Sequence, residues 1–264
     1  MKLLTSPDTR LSTLLDQPAD TVRIDPTWWS WNGAHGGLSV ALVVGAMRRA
    51  VDGDVPLRSV SAQLVAPVND EVRFEADVLK RGRSVVMARG AALQDGRPHV
   101  TASAVFGNAG RGPLVAAPPA PVSPPIDSLE PFFVPVDWLP FTAHTEVRPV
   151  GDARPFASGT TAELTAWVRL TDDDRPVDEA RLIVLFDCLA PSVAAVLPAM
   201  AAVPTIELGV QLGSAVRTAA SPWVLVRCRT DVGAEDGWCT DRLDAWGPDG
   251  THLGSAHQVR LVLG

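Results

Sequence analysis

The chain has 264 residues and a mass of 28.0 kDa, with 23 basic and 30 acidic side chains and 46% hydrophobic residues. That composition describes a globular protein of one large domain or two of about 130 residues, with apolar material enough for a core without metal or disulfide staples. The net charge of −7 argues against a nucleic-acid binder, whose footprint is a basic excess, and the longest apolar runs, such as Leu38–Ala46, fall short of the roughly 20 residues of a membrane span.

The N-terminus, MKLLTSPDTR, turns polar after two leucines and lacks the apolar stretch of about 7 to 15 residues that a secretory leader needs. Three cysteines, all in the second half, form neither an even disulfide set nor a zinc-ligand spacing, so reduced thiols and a cytoplasmic setting are expected. A strand-like stretch at Thr21–Trp29 leads into NGAHGG and then GLSVALVVGAMRRAV. Apolar residues fill nearly every position of that run before Arg48, which predicts a helix buried on almost all sides. Strands are predicted at Ser59–Val65, Val72–Lys80 and Ser84–Gln94, and Asp95-Gly96 turns the chain into a fourth at Pro98–Phe106.

Residues 111–140 hold nine of the 23 prolines. Proline fixes φ and removes a donor, so this stretch reads as an extended linker between a unit over 1–110 and another over 141–264. The second unit repeats the grammar of the first: strands at Thr142–Arg148 and Thr161–Leu170, an apolar helix over roughly Asp178–Leu197, and strands at Thr205–Leu212, Trp223–Asp231, Trp238–Trp246 and His252–Val262. The repeat is visible as text, with LQDGRPHVTASAVF matching WGPDGTHLGSAHQV and RSVSAQLV matching IELGVQLG. Strand, buried helix and antiparallel meander, twice over, predict an α+β fold in which each sheet wraps one helix and the two units pair as a pseudo-dimer.

Most catalytic classes leave no mark. GxSxG, HExxH, Walker and GxGxxG motifs are absent, and no two of the five histidines sit at helical ligand spacing, so neither a metal site nor a cofactor is expected. Asp187 stands out in LIVLFDCLAPSVAAVL. A carboxylate after five apolar residues is buried or half-buried, and it needs hydrogen-bond partners, a raised pKa or both. Asp is also a favoured helix N-cap, and Pro191 tolerates a first helical turn, so a capping role explains it too. Thr205 opens a strand directly after Pro204 as an ordinary β-former. Gln258, in the last strand, is either on the exposed face or a buried amide with partners, exposure being the default.

Taken in order, GAHGGLSVALVVGAM, the Arg81–Ser84 hairpin, LFDCLAP, TIELGVQL and GSAHQV resemble the acyl-CoA thioesterase II (TesB-like) family over nearly the whole chain. The resemblance implies a double hotdog fold and hydrolysis of an acyl-CoA to free acid and CoA. It assigns catalysis to Asp187, Thr205 and Gln258, and it leaves room for a homo-oligomer. The sequence departs from the family in having Gln258-Val259-Arg260 where Gln-Glu-Gly is frequent, and Glu207 where the family has Asp. The repeat shows a one-sidedness of its own: Thr205 aligns with Leu57 and Gln258 with Ala104, and no acidic residue occurs from Pro26 to Val51. One active site per chain follows, with the first unit supplying walls.

On this reading Asp187 orients or deprotonates a water that Thr205 and Gln258 help to hold. Backbone N–H groups at Gly36-Gly37 are the candidates for the developing oxyanion, although the glycines also suit tight helix packing. His35 is either a substrate contact or a capping residue, and the tryptophans of TWWSW either line the acyl channel or fill the core. Two other classes compete. A non-catalytic acyl-CoA binding protein would use the same tunnel without turnover, and a hotdog hydratase would need a histidine close to the acidic residue, whereas none lies between His144 and His252.

Overall fold

The computed structural model describes residues 9–16, 20–113, 115–171 and 174–263. The first eight residues, and with them most of the N-terminal stretch read above for a leader, lie outside that set. In chain order the elements are α1 (Leu11–Asp16), β1 (Thr21–Arg23), β2 (Trp29–Ser30), β3 (Gly33–Ala34), α2 (Gly36–Val51), β4 (Leu57–Leu64), β5 (Glu71–Arg81), β6 (Val85–Gln94) and β7 (Arg97–Gly107). There follow β8 (Thr145–Pro149), β9 (Glu163–Leu170), α3 (Glu179–Phe186), β10 (Thr205–Leu212), β11 (Val224–Gly233), β12 (Trp238–Trp246) and β13 (His252–Leu261).

Eleven strands form one antiparallel sheet in the order β1-β5-β6-β7-β4-β10-β13-β12-β11-β9-β8. The two halves join through β4 and β10, with Gln63 opposite Glu207 and Ser59 opposite Gln211. These strands contain the two text segments that align in the repeat, so the pseudo-symmetry seen in sequence is the symmetry of the seam. The α+β arrangement expected from the sequence, a long antiparallel sheet about a helix in each half, is what the chain adopts. α2 buries eleven of its sixteen residues, among them Leu38, Val43 and Met47, and the apolar face of α3 joins it in one core. No helix among the described residues is long and apolar enough to cross a membrane.

Three expectations change. The strand read over Thr21–Trp29 stops at Arg23, because Asp25 accepts a hydrogen bond from Thr27 N (2.9 Å) and Pro26 starts a short 3-10 turn. The helix expected over Asp178–Leu197 ends at Phe186, and a second short turn, Ser192–Ala195, follows Pro191. The N-cap of α3 is Asp178, which accepts from Arg181 N (2.8 Å), while Asp187 sits at the opposite end as the C-cap. The N-capping role considered for Asp187 is therefore wrong.

The described part of 111–140 is largely irregular, with a short 3-10 turn at Ile126–Ser128, and it also covers something. Alternate residues of β9, β11 and β12 point away from the helices, and there Trp167, Leu225 and Trp246 form a second apolar cluster under Ala120, Ile126 and Leu129. The indole N–H of Trp167 donates to Ser123 Oγ and that of Trp246 to the Pro118 carbonyl, both at 2.8 Å. A sheet with large apolar residues on both faces needs two covers, and the proline-rich segment is the second.

Candidate active site

α2 and α3 pack side by side with opposed directions: Arg48 in the last turn of α2 pairs with Glu179 at the start of α3, and the N-terminus of α2 meets Asp187 at the end of α3. A carboxylate at a helix C-terminus faces the negative end of that helix and requires compensation. It comes from the N-terminus of α2, where Gly37 N–H donates to Asp187 Oδ2 (2.9 Å). A Cβ on Gly36 would fall 2.8 Å from Oδ2, and one on Gly37 would fall 2.9 Å from Asp187 Cβ and 3.0 Å from the Ile183 carbonyl. The glycines are the condition of this approach.

The other carboxylate oxygen is held from the sheet. Asp187 Oδ1 accepts from Thr205 Oγ1 (3.0 Å), at the first position of β10, and from Gln258 Nε2 (2.7 Å), on β13. Gln258 is 0% exposed, which overturns the expectation of exposure. Over the last six residues of β13, Ala256, Gln258 and Arg260 are buried, while His257, Val259 and Leu261 are only half-buried. Strand parity is thus set by paired polar groups and runs against the larger apolar side chains.

His35 is the N-cap of α2 and is 2% exposed. Its Nδ1 accepts from Leu38 N (3.2 Å), so its proton resides on Nε2, which lies 2.9 Å from the Asp187 carbonyl and donates to it. Burial lowers the pKa of His35, outweighing the pull of the Asp187 charge. A second proton on Nδ1 would also eject the Leu38 N–H. His35 therefore stays neutral.

Sequence reasoning missed what stands behind Gln258. Arg260 Nη2 donates to Gln258 Oε1 (2.6 Å) and is 3.5 Å from Asp187 Oδ1, while its Nη1 donates to the Val203 carbonyl (3.3 Å). Arg260 Nε is 3.2 Å from Asp241 Oδ2. Asp241 in turn accepts from Ser192 Oγ (2.8 Å) and Thr230 Oγ1 (2.9 Å). The available signal was spacing: Arg260 shares Gln258's face two residues on, and Asp241 lies opposite Gln258 on β12.

Asp187, Thr205, Arg260, His35 and Gly36 line a cavity of about 640 Å³ whose remaining wall is largely apolar. Much of that wall comes from the end of the proline-rich segment, including Phe132, Phe133, Trp138 and Leu139. The sequence reading took this stretch for connection only, although PFFVPVDWLPF is too aromatic for a solvated spacer. Of the tryptophans in TWWSW, Trp28 lies in the core stacked on His144 at 4.0 Å, and Trp31 lines the cavity.

Solved structures share this architecture. A hot dog fold protein of unknown function from Alicyclobacillus acidocaldarius is 22% identical, with a TM-score of 0.85 and 92% of each chain covered. An acyl-CoA thioesterase II, TesB2, from Mycobacterium marinum is 17% identical, with a TM-score of 0.75 over 96% of this chain and 98% of that one. The tesB protein of Mycobacterium avium is 17% identical, with a TM-score of 0.76 and the same coverage. At these identities the likeness shows the fold alone. No curated protein matches the sequence. Family models carry the assignment further: residues 25–107 match the acyl-CoA thioesterase N-terminal domain and residues 117–262 the acyl-CoA thioesterase C-terminal domain. With both halves matched in order, and with a buried carboxylate facing an apolar cavity where they meet, the chain belongs to the TesB-like acyl-CoA thioesterase family and is a thioester hydrolase.

Proposed function

We propose that the chain hydrolyses an acyl-CoA by general-base attack of water, with Asp187 as the base and Thr205 and Gln258 fixing it. The observation that carries this reading is how the carboxylate is occupied. Of its roughly four lone-pair sites, Thr205, Gln258 and Gly37 take three, and the remaining one, on Oδ2, belongs to a carboxylate that lines the cavity. A water there gives its proton to Oδ2 as its oxygen bonds to the thioester carbonyl carbon. The carbonyl π electrons move onto oxygen; as they return, the C–S bond breaks and the thiolate takes the proton back from Asp187.

The oxyanion needs a donor. Gly37 N–H is spent on Asp187, which narrows the pair suggested by sequence. Gly36, at the first helical position, has no intrahelical acceptor for its N–H, lines the cavity, and lies at the positive end of α2. His35, occupied on both ring nitrogens, positions this turn and the Asp187 backbone. The apolar cavity takes the acyl group. Arg260 is the one arginine or lysine among the described lining residues, so the CoA phosphates belong outside the mouth. Three unpaired, buried cysteines support a reducing, cytoplasmic setting.

The test is release of free thiol from short, medium and long acyl-CoAs. Turnover on at least one chain length is expected. Saturable binding on any of them with turnover on none would replace hydrolysis by the binding-protein reading.

A further inference from the structure

Four groups form a buried chain across two strands and a helix end: Asp241 on β12, Arg260 and Gln258 on β13, and Asp187 at the end of α3. Asp241 is 0% and Arg260 4% exposed. One guanidinium thus serves two buried carboxylates, Asp241 at 3.2 Å and Asp187 at 3.5 Å. Among the described residues, the other titratable groups facing them are His35 and the three cysteines. His35 is held neutral by burial, with its pKa lowered, and burial raises the thiol pKa of Cys188, Cys228 and Cys239. The buried site therefore sets two carboxylates against one guanidinium, and the position of that single cation decides which carboxylate it supports.

We propose that Arg260 is a positioning residue that keeps Asp187 ionised and turns the Gln258 amide toward it, and that Asp241 sets how much of the Arg260 charge Asp187 receives. The inference rests on Asp187 being the base. The Gln258 amide has two orientations, and the Arg260 Nη2 hydrogen bond to Oε1 selects the one that presents Nε2 to Asp187. An arginine does this where a lysine does not, because its fork reaches Gln258, Asp241 and the Val203 carbonyl from separate nitrogens. A purely structural salt bridge between Arg260 and Asp241 would not need its free edge aimed into the catalytic hydrogen bonds.

The test compares pH–rate profiles of kcat/KM for wild type, Arg260→Gln, Arg260→Lys, Asp241→Asn and Asp187→Asn on one acyl-CoA. Arg260→Gln removes the charge, so its acid limb moves upward by about 1 pH unit. It is slower than wild type on the acid side of the profile, by up to about tenfold below both limbs, and its plateau is lowered as well because the fork that orients Gln258 is gone. Arg260→Lys, with the charge but not the fork, keeps the limb near its wild-type position and lowers the plateau. Asp241→Asn moves the limb downward, because the Arg260 charge then has one carboxylate to serve. This variant fits the site: its amide oxygen faces Arg260 while the Ser192 and Thr230 hydroxyls rotate to accept from its NH₂, so it decides the matter even if Arg260→Gln does not fold.

Opposite displacements of the limb for Arg260→Gln and Asp241→Asn support the proposal. Limbs that coincide with wild type after scaling of the plateau overturn it, leaving the pair a structural ion pair. Full activity of Asp187→Asn would instead overturn the base assignment, and the two failures are thereby distinguished.

Discussion

Gly36→Ala probes how closely α2 must approach the carboxylate. The added Cβ would lie 2.7 Å from Leu64 Cδ2 and 2.8 Å from Asp187 Oδ2. The leucine methyl is the free end of a flexible side chain and can give way. Asp187 cannot give way freely, since Thr205, Gln258 and Gly37 hold it. Overpacking of this kind costs about 1–3 kcal/mol, against a helix-propensity gain of at most about 1 kcal/mol for replacing glycine by alanine. The net expectation is about 1–2 kcal/mol of destabilisation, a Tm lower by about 2–8 °C at this chain length. The larger effect is on rate, because a base displaced by something like 1 Å loses about 10²-fold in kcat. Gly45, in the same helix, is the control: its nearest neighbours lie 3.7 Å from the added Cβ, so Gly45→Ala should gain about 0.4–1 kcal/mol and leave activity unchanged. Thermal unfolding and thiol-release kinetics on both variants supply the comparison. A Gly36→Ala protein as stable and as active as Gly45→Ala would refute the claim that this glycine is required by the approach of α2 to Asp187.

Two further outcomes follow from the same geometry. Thr205→Val removes a donor to a charged acceptor, worth about 1.5–3 kcal/mol, so activity should fall roughly ten- to a hundredfold while Thr205→Ser keeps most of it; equal rates for the two variants would remove Thr205 from the site. Because the folded pKa of His35 is lowered, below pH 6.5 the unfolded chain binds a proton there that the folded chain does not, and stability falls with pH by up to about 1.4 kcal/mol per unit. His35→Asn keeps a good N-cap and removes that contribution, so urea unfolding between pH 7 and 5 should show a shallower slope; an unchanged slope would contradict the neutral imidazole.

What could be read from the sequence was local. The all-apolar run of α2 announced a buried helix, β10 and β12 fall within the bounds their patterning gave, and Asp187 stood out because five apolar residues precede it. Gln258 and Arg260 were obscured because, at the end of β13, the large apolar residues Val259 and Leu261 occupy the opposite parity. Simple patterning turns the polar set outward. It turns inward because Asp187, 71 residues before Gln258, and Asp241 on the neighbouring strand provide partners, and such pairing leaves no periodic trace. The helix end at Asp187 was misplaced for a similar reason. An acidic residue at a helix C-terminus is unfavourable by local rules, and it is tolerated here because Gly37 reaches it from 150 residues away. The role of the proline-rich segment as a cavity wall was hidden by reading its prolines and passing over its aromatics.

The most direct test is single-turnover thiol release by wild type and Asp187→Asn, with acyl-CoA binding and circular dichroism measured on both. The account predicts a folded variant that still binds acyl-CoA and releases thiol at least about 10²-fold more slowly. A folded variant releasing thiol at the wild-type rate would contradict it.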